Sequence, residues 1–336
     1  MIEYRNVGRT GLKVSSICLG TMTFGRSANE AESAKMVSAA LDRGINFFDT
    51  ANSYSEGDSE VLLGKGLKGK REQAVVATKF FNPMGEGPND SGMSRAHIMK
   101  AIEASLRRLE MDYVDLYYIH HVDVQTPLEE MLRAVDDLVR QGKVRYLACS
   151  NYEAWRLCDA LWTSTAHGLS RIECYQPQYS LVVRDIEQEL IPLCTEKGVG
   201  VVVWAPLAGG FLSGKYAPGE RTVAGSRSEE GWAYPQAYFA ANCDDTLRCL
   251  LEVAERAGCP PGAAAVRWVI EQPGITSAIV GASSMAQLLA NLRAIDLTLG
   301  ADDLQKLSEV SSLPPRYPSA MEADMLKRRD SAVRRS

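Results

Sequence analysis

Short β-branched or apolar runs alternate with amphipathic helical stretches along almost the whole chain, and this alternation constrains the fold more than any other feature. The eight runs are VSSICLG at 14–20, INFFDT at 45–50, AVVATK at 74–79, VDLYYIH at 114–120, VRYLACS at 144–150, IECYQPQ at 172–178, VGVVVWA at 199–205 and SAIVGA at 277–282. Near-continuous apolar strands need cover on both faces, which a parallel sheet obtains from its crossover helices. Eight such units predict an α/β protein, a closed (β/α)8 TIM barrel. The chain reads as a single domain over 1–336, with a core at about 4–311 and a C-terminal tail at 314–336.

The segments between the runs carry their own punctuation. In Ser94 to Met111, Ile98, Ile102, Leu106 and Leu109 recur at helical spacing and predict a face packed on the barrel. Thr126-Pro127-Leu128-Glu129 predicts a capping box with proline at the first helical position, and Gly142 a helix stop. The opening YRNVGRTGLKVS predicts an N-terminal β-hairpin closing the bottom of the barrel. A long loop from Ala205 to about Pro235 follows the seventh strand; loops of that length at a barrel's C-terminal face belong to sites. The basic end of the tail, KRRDSAVRRS, is expected either to be unordered or to touch a neighbouring subunit, and the oligomeric state stays open.

Composition narrows the partners. A formal net charge of −5 argues against nucleic-acid binding, which needs a basic excess, and favours a small molecule. No run of eighteen apolar residues occurs and MIEYRNVGRTGL lacks a secretory pattern, so neither membrane spanning nor export is expected and the location is read as cytoplasmic. Cys18, Cys149, Cys158, Cys174, Cys194, Cys243, Cys249 and Cys259 form no CxxC pair, which predicts reduced, buried thiols and no metal site.

In such a barrel, chemistry is carried by the C-terminal strand ends. Polar residues collect there: Asp49, Lys79, His120 with His121, Ser150 with Asn151, and Gln176, with Tyr54 on the loop after the second strand. Each alone has an ordinary reading, Asp49 as a turn former and Tyr54 as a surface aromatic. Together, in order on successive strands, they suggest a proton donor. The Lys79 ammonium would stabilise a Tyr54 phenolate, Asp49 would keep Lys79 charged, and His120 would orient a carbonyl. Reduction also needs a hydride donor; Ser150, Asn151 and Gln176 suit a carboxamide, and Trp204 offers a flat face for a ring. Met22, Phe24, Tyr54, Phe81, His120, His121 and the loop after Trp204 would shape the substrate pocket, suiting a keto-sugar or cyclic ketone. Gly64 to Gly69 matches GxGxxG and begins like a P-loop, but it lies at a helix end and Arg71 replaces the required Ser or Thr, so it is read as a lysine-rich helix end.

FFDTANSY, ATKF, DLYYIHHVD, ACSNY, YQPQYS, WAPLAGGFLSGKY and IVGASSMAQLLANL together resemble the aldo-keto reductases, NAD(P)H-dependent barrel enzymes, from about residue 4 to residue 311. The resemblance implies the tetrad Asp49, Tyr54, Lys79 and His120, with Tyr54 as proton donor. It implies nicotinamide contacts at Ser150, Asn151, Gln176 and Trp204, with Gly20, Thr21 and Met22 also facing the cofactor. Pyrophosphate contacts fall on Ala205, Pro206, Leu207, Ala208, Gly210 and Lys215. The adenosine end falls on Gly281, Ser283, Gln287 and Asn291, with Arg227 for a 2′-phosphate. NADPH is the implied cofactor and NADH the second choice, because Gln287 and Ala290 depart from the arginine and glutamate of many members. The GASS and Gln pattern is similar to the subgroup of bacterial general stress reductases and potassium-channel β-subunits. His121 replaces a common tryptophan, so family substrates do not carry over. The function implied is NAD(P)H-dependent reduction of a small aldehyde or ketone. The alternative is a cofactor-sensing, channel β-subunit-like protein with little turnover. A barrel glycosidase ranks last, since it needs two carboxylates about 5 to 9.5 Å apart and only Asp49 stands at a strand end.

Overall fold

A computed structural model describes residues 2–224 and 239–333. The first two strands, β1 (Tyr4–Asn6) and β2 (Lys13–Ser15), pair antiparallel with Tyr4 opposite Ser15. Eight parallel strands follow: β3 (Ile17–Gly20), β4 (Phe47–Asp49), β5 (Val75–Phe80), β6 (Val114–Ile119), β7 (Val144–Ser150), β8 (Ile172–Gln176), β9 (Gly200–Val203) and β10 (Ile275–Gly281). They close into a barrel in sequence order, with β10 pairing to both β9 and β3. The eight apolar runs therefore mark the eight barrel strands, with one division. The run 14–20 belongs to two sheets, because at Ser16 the chain leaves the hairpin, its N–H donating to Glu3 O at 2.9 Å, before β3 enters the barrel. Hydrophobicity alone does not record a change of pairing partner.

The hairpin closes the end where the strands begin. Arg9 N–H donates to Gly198 O at 2.9 Å, and a side chain at Gly8 would meet the backbone of Gly198 and Gly200, at the start of β9. Val7, Leu12 and Val14 pack with the barrel interior, made by Cys18, Phe47, Val75, Ala77, Leu116, Tyr118, Ala148, Cys174, Val202 and Ile279. Alternate residues of each strand, such as Val76 and Phe80, join the larger core beneath the helices. This is the period-two alternation of a strand, applied to a closed sheet buried on both faces.

Helices α1 (Glu30–Asp42), α2 (Asp58–Gly66), α3 (Arg95–Leu109), α4 (Leu128–Arg140), α5 (Ala154–His167), α6 (Leu190–Lys197), α7 (Cys243–Arg256), α8 (Pro261–Glu271) and α9 (Met285–Leu292) wrap the barrel; α10 (Ala301–Val310) and α11 (Ser319–Val333) follow it. In α3 the Ser94 hydroxyl caps His97 N–H, and Ile98, Ile102, Leu106 and Leu109 are all buried, each contributing about 1.5–3 kcal/mol. At α4 the expected capping box does not form. Pro127 takes the cap position, and the Thr126 hydroxyl donates instead to Asp123 Oδ2 at 2.8 Å, while Asp123 Oδ1 accepts from the Gln125 and Thr126 N–H groups. The aspartate's own turn outcompetes the threonine cap. Gly142, at φ 73, does turn the chain out of this helix.

One further expectation is corrected. The cysteines are free, but Cys158 is exposed on α5 beside Trp155 and Trp162, on the helix face turned from the barrel, and Cys249 and Cys259 are half-buried. In the tail, residues Ser319–Val333 form α11. Among the described residues no helix is long and apolar enough to cross a membrane.

The GxGxxG segment sits at the end of α2, as its helical context predicts, and Gly64 has a packing reason. A Cβ there would overlap the carbonyl of Leu109 at the end of α3. Gly64→Ala is expected to destabilise the fold by about 1–3 kcal/mol. Gly11→Ala, where a Cβ meets no atom within 4 Å, should stay within about 0.5 kcal/mol of the parent. Urea midpoints of the two variants test the contrast, and equal midpoints would contradict the close packing of α2 on α3.

Candidate active site

The inward columns of the barrel end in the polar residues singled out above. Phe47 leads to Asp49, Val75 and Ala77 to Lys79, Leu116 and Tyr118 to His120, Ala148 to Ser150, Cys174 to Gln176, and Val202 to Trp204. Parity places them all at the C-terminal mouth, pointing toward its axis.

Lys79 is fully buried at the centre of the group. Its Nζ donates to Asp49 Oδ1, to Thr50 O at 2.8 Å and to the Tyr54 hydroxyl at 3.3 Å. The second Asp49 oxygen accepts from Gln176 Nε2 at 2.8 Å. Tyr54 opens a single 3-10 turn, Tyr54–Gly57, in which Ser55 and Glu56 adopt left-handed angles and the Ser55 hydroxyl donates to Phe24 O at 2.7 Å. This turn brings the tyrosine back over the mouth. Its ring meets His120 edge-on at 5.9 Å. His120 stacks on His121 at 4.6 Å, and His121 meets the Phe81 ring at 5.4 Å. On the far wall, the Asn151 amide donates to His120 O at 3.1 Å and accepts from Trp204 Nε1 at 3.2 Å, and the Ser150 hydroxyl donates to Gln176 O at 2.6 Å. Several of the strand exits carry a non-glycine residue with positive φ: Phe81 after β5, Asn151 after β7 and Ala205 after β9. Such conformations cost about 1–3 kcal/mol each and gather where function dictates geometry.

Burial works against the Lys79 charge, but the Asp49 carboxylate and then the Tyr54 hydroxyl outweigh it, so its pKa lies above the ordinary value. The stabilisation of a Tyr54 phenolate by Lys79, expected from sequence, is outweighed while the hydroxyl is buried. Burial, reinforced by Asp49, exceeds the pull of Lys79 and raises its pKa, so the hydroxyl keeps its proton at neutral pH. His120 is held well below its ordinary value by burial, then by Lys79 and His121, and burial lowers His121 as well. Both rings are neutral at pH 7.

The remaining sequence-predicted residues divide. Gly20 and Gly281 end adjacent strands in register with each other. Met22 is half-buried just beyond β3. Thr21 is buried, its hydroxyl bonded to Asp49 O at 3.1 Å and to the Ser59 hydroxyl at 2.8 Å, so it braces the site rather than facing it. Phe24, expected in the pocket, is fully buried in the core beneath the helices, at a turn in which its N–H donates to Thr21 O at 2.9 Å. After β9, Pro206 is buried, Leu207 half-buried, Ala208 and Gly210 have φ 49 and 105, and Lys215 is exposed. Near α9, Ser283 N–H donates to Gln287 Oε1 at 3.0 Å, Met285 N–H to Glu32 Oε1 at 2.7 Å, and Asn291 lies against Gly262 of α8. Arg227 lies outside the described residues.

Three participants escaped the sequence reading. Thr50 acts through its carbonyl, which side-chain chemistry does not reveal. Ser53 and Asn82 join each other at 3.0 Å, and Asn82 reaches His120 Nδ1 at 3.4 Å. Asn82 stands at a strand exit like the others, but Lys79 already accounted for that strand.

The structure is thus a parallel eight-stranded barrel with a buried Asp-Lys pair, a tyrosine hydroxyl and a neutral histidine at its C-terminal mouth. The sequence profile of the Aldo/keto reductase family matches residues 16–312, and the chain belongs to that family. It is 35% identical over 320 residues, 92% of this chain and 96% of the relative, to the "Uncharacterized oxidoreductase YrpG" of Bacillus subtilis (strain 168). It is 34% identical over 332 residues, 95% of this chain and 99% of the relative, to the "Probable voltage-gated potassium channel subunit beta" of Arabidopsis thaliana. A "Putative voltage-gated potassium channel subunit beta" of Schizosaccharomyces pombe is 35% identical over 94% of both chains. These similarities match the subgroup inferred from the GASS and Gln pattern.

His97, His120 and His121 all have pKa values below the ordinary 6.5, burial being the first cause for each. The unfolded chain then binds protons that the folded state refuses. The histidine contribution to stability is complete above about pH 6.5 and is lost as pH falls through that value. Urea unfolding should show stability falling from about pH 7 to pH 5, with a shallower slope in His97→Gln and His121→Gln. An unchanged slope in both variants would contradict the shifts.

Proposed function

We propose that this protein is an NADPH-dependent reductase converting an aldehyde or ketone to an alcohol, with Tyr54 as the proton donor. The observation that carries the reading is the buried Lys79 ammonium shared between Asp49 and the Tyr54 hydroxyl. A tyrosine that holds its proton at neutral pH can give it to an oxygen gaining negative charge. The phenolate left behind is then stabilised by Lys79, which burial makes a strong partner. Asp49 acts one step back, keeping Lys79 charged and aimed. His120, neutral and edge-on to Tyr54, hydrogen-bonds the same carbonyl oxygen and orients it.

The donor set fits a nicotinamide dinucleotide. Ser150, Asn151 and Gln176 offer hydroxyl and amide groups beside Trp204; Gly210 and exposed Gly281 leave bare backbone; and Lys215 offers an exposed cation near the loop. When bound, this cofactor supplies the hydride. Gly20, Thr21, Met22, Ala205, Pro206, Leu207, Ala208, Ser283, Gln287 and Asn291, with Arg227 for a 2′-phosphate, are the other residues assigned to it, and NADH is the second choice. The substrate pocket of Met22, Phe81, His120 and His121 mixes aromatic and neutral imidazole surface, favouring a polar, uncharged carbonyl such as a keto-sugar or cyclic ketone. A second reading is favoured by the names of two relatives: a cofactor-sensing subunit in which binding outweighs turnover.

The test is oxidation of NADPH and NADH, followed by absorbance, against aldehydes, cyclic ketones and keto-sugars. Tyr54→Phe is expected to lose roughly 10²–10⁴-fold in turnover while binding cofactor as the parent does. Retained reduction in the variant would remove Tyr54 from the role. Cofactor binding with no turnover on any carbonyl would move the weight to the sensing reading.

A further inference from the structure

The loop leaving β5 turns sharply. Phe81 sits at φ 138, fastened by Gly92 N–H donating to Phe81 O at 2.8 Å, and the next residue, Asn82, is thereby directed into the mouth. A bulky residue in that conformation is strained, and the strain serves to place the neighbouring asparagine. The Asn82 amide nitrogen lies 3.0 Å from the Ser53 hydroxyl and 3.4 Å from His120 Nδ1. It thus links the loop that carries Tyr54 to the residue that follows β6.

We propose that Asn82, braced by Ser53, holds His120 in the tautomer with its proton on Nε2, and is a positioning residue for the carbonyl chemistry proposed above. The kinetic half of this inference rests on that reading. An amide NH2 has two hydrogens and no acceptor capacity, so both contacts are satisfied together only when Ser53 Oγ and His120 Nδ1 accept. With Nδ1 accepting, a neutral ring carries its hydrogen on Nε2. The charged group facing the ring is Lys79, the other titratable neighbours are His121 and Tyr54, and a second proton on His120 would set a cation beside the Lys79 ammonium and the stacked His121. The reverse amide orientation would demand Nδ1–H and leave Nε2 as a lone pair, which repels a carbonyl oxygen instead of donating to it. Asn82 therefore decides whether His120 presents a donor or an acceptor to substrate.

The tautomer can be read directly, because the chain has only four histidines. Nitrogen-15 histidine spectra, with the His120 signals identified by their loss in His120→Gln, should show Nε2–H in the parent at neutral pH. In Asn82→Asp, whose carboxylate can only accept, the proton should appear on Nδ1, and kcat should fall by about 10²-fold, the worth of one donor to a developing oxyanion. Asn82→Leu neither donates nor accepts, leaves the tautomers mixed, and should lose less than the aspartate variant. Asn82 is a half-buried loop residue, so thermal melts of all three proteins should be alike. Nδ1–H in the parent, or an aspartate variant as active as the parent with the leucine variant the worse, would overturn the proposal. If the parent reduces no carbonyl, the spectra still decide the tautomer, so failure of the reductase reading is separable from failure of this one.

Discussion

An ammonium group with no solvent exposure lies at the C-terminal mouth of the barrel, and the arrangement around it follows from keeping that charge satisfied. Removing Lys79 from water costs several kcal/mol, and the cost is offset only by the oxygens gathered on it: the Asp49 carboxylate, the Thr50 carbonyl and the Tyr54 hydroxyl. Asp49 in turn is held by Gln176 from β8, four strands round the barrel from β4. One carboxylate therefore ties opposite walls together while facing the lysine. The tyrosine is drawn to the same point by a strained turn whose Ser55 hydroxyl is anchored to the chain after β3.

The barrel reads as a vertical gradient along its axis. The hairpin plugs the lower end with Val7, Leu12 and Val14, the middle is filled by alternating apolar side chains, and the upper end turns polar where the same columns run out. The transition needs no special local sequence. It follows from strand parity, since a residue two places beyond an inward apolar residue also points inward. At several of the strand exits a residue with positive φ then turns the chain.

His120 and His121 stack at the mouth with ring centroids 4.6 Å apart. Two neutral imidazoles beside an amide make a polar wall without charge, next to the concentrated charge of Lys79 and Asp49. The chain belongs to the Aldo/keto reductase family, and this wall continues to Phe81, whose ring meets His121 at 5.4 Å.

The number and order of the strands, the parallel barrel and the strand-end positions of Asp49, Lys79, His120, Ser150 and Gln176 were legible in the sequence, because periodicity and apolar runs report burial and parity directly. The helix face of Ile98, Ile102, Leu106 and Leu109 was legible for the same reason. Other features depended on contacts between segments distant in sequence. The division of the run 14–20 between hairpin and barrel, the burial of Phe24 and the exposure of Cys158 follow from which surfaces meet. Asp123 displaced the expected cap at α4 through a local competition that residue preference does not rank. The upward shift of Tyr54 required knowing how deeply the mouth is buried, and the Ser53–Asn82–His120 link required two loops to converge. The sequence by itself determined the barrel and the side chains available at its mouth, because both are properties of pattern along one chain; the tertiary structure decided which of those groups share protons and hydrogen bonds, because that depends on distances and desolvation created only when the barrel closes.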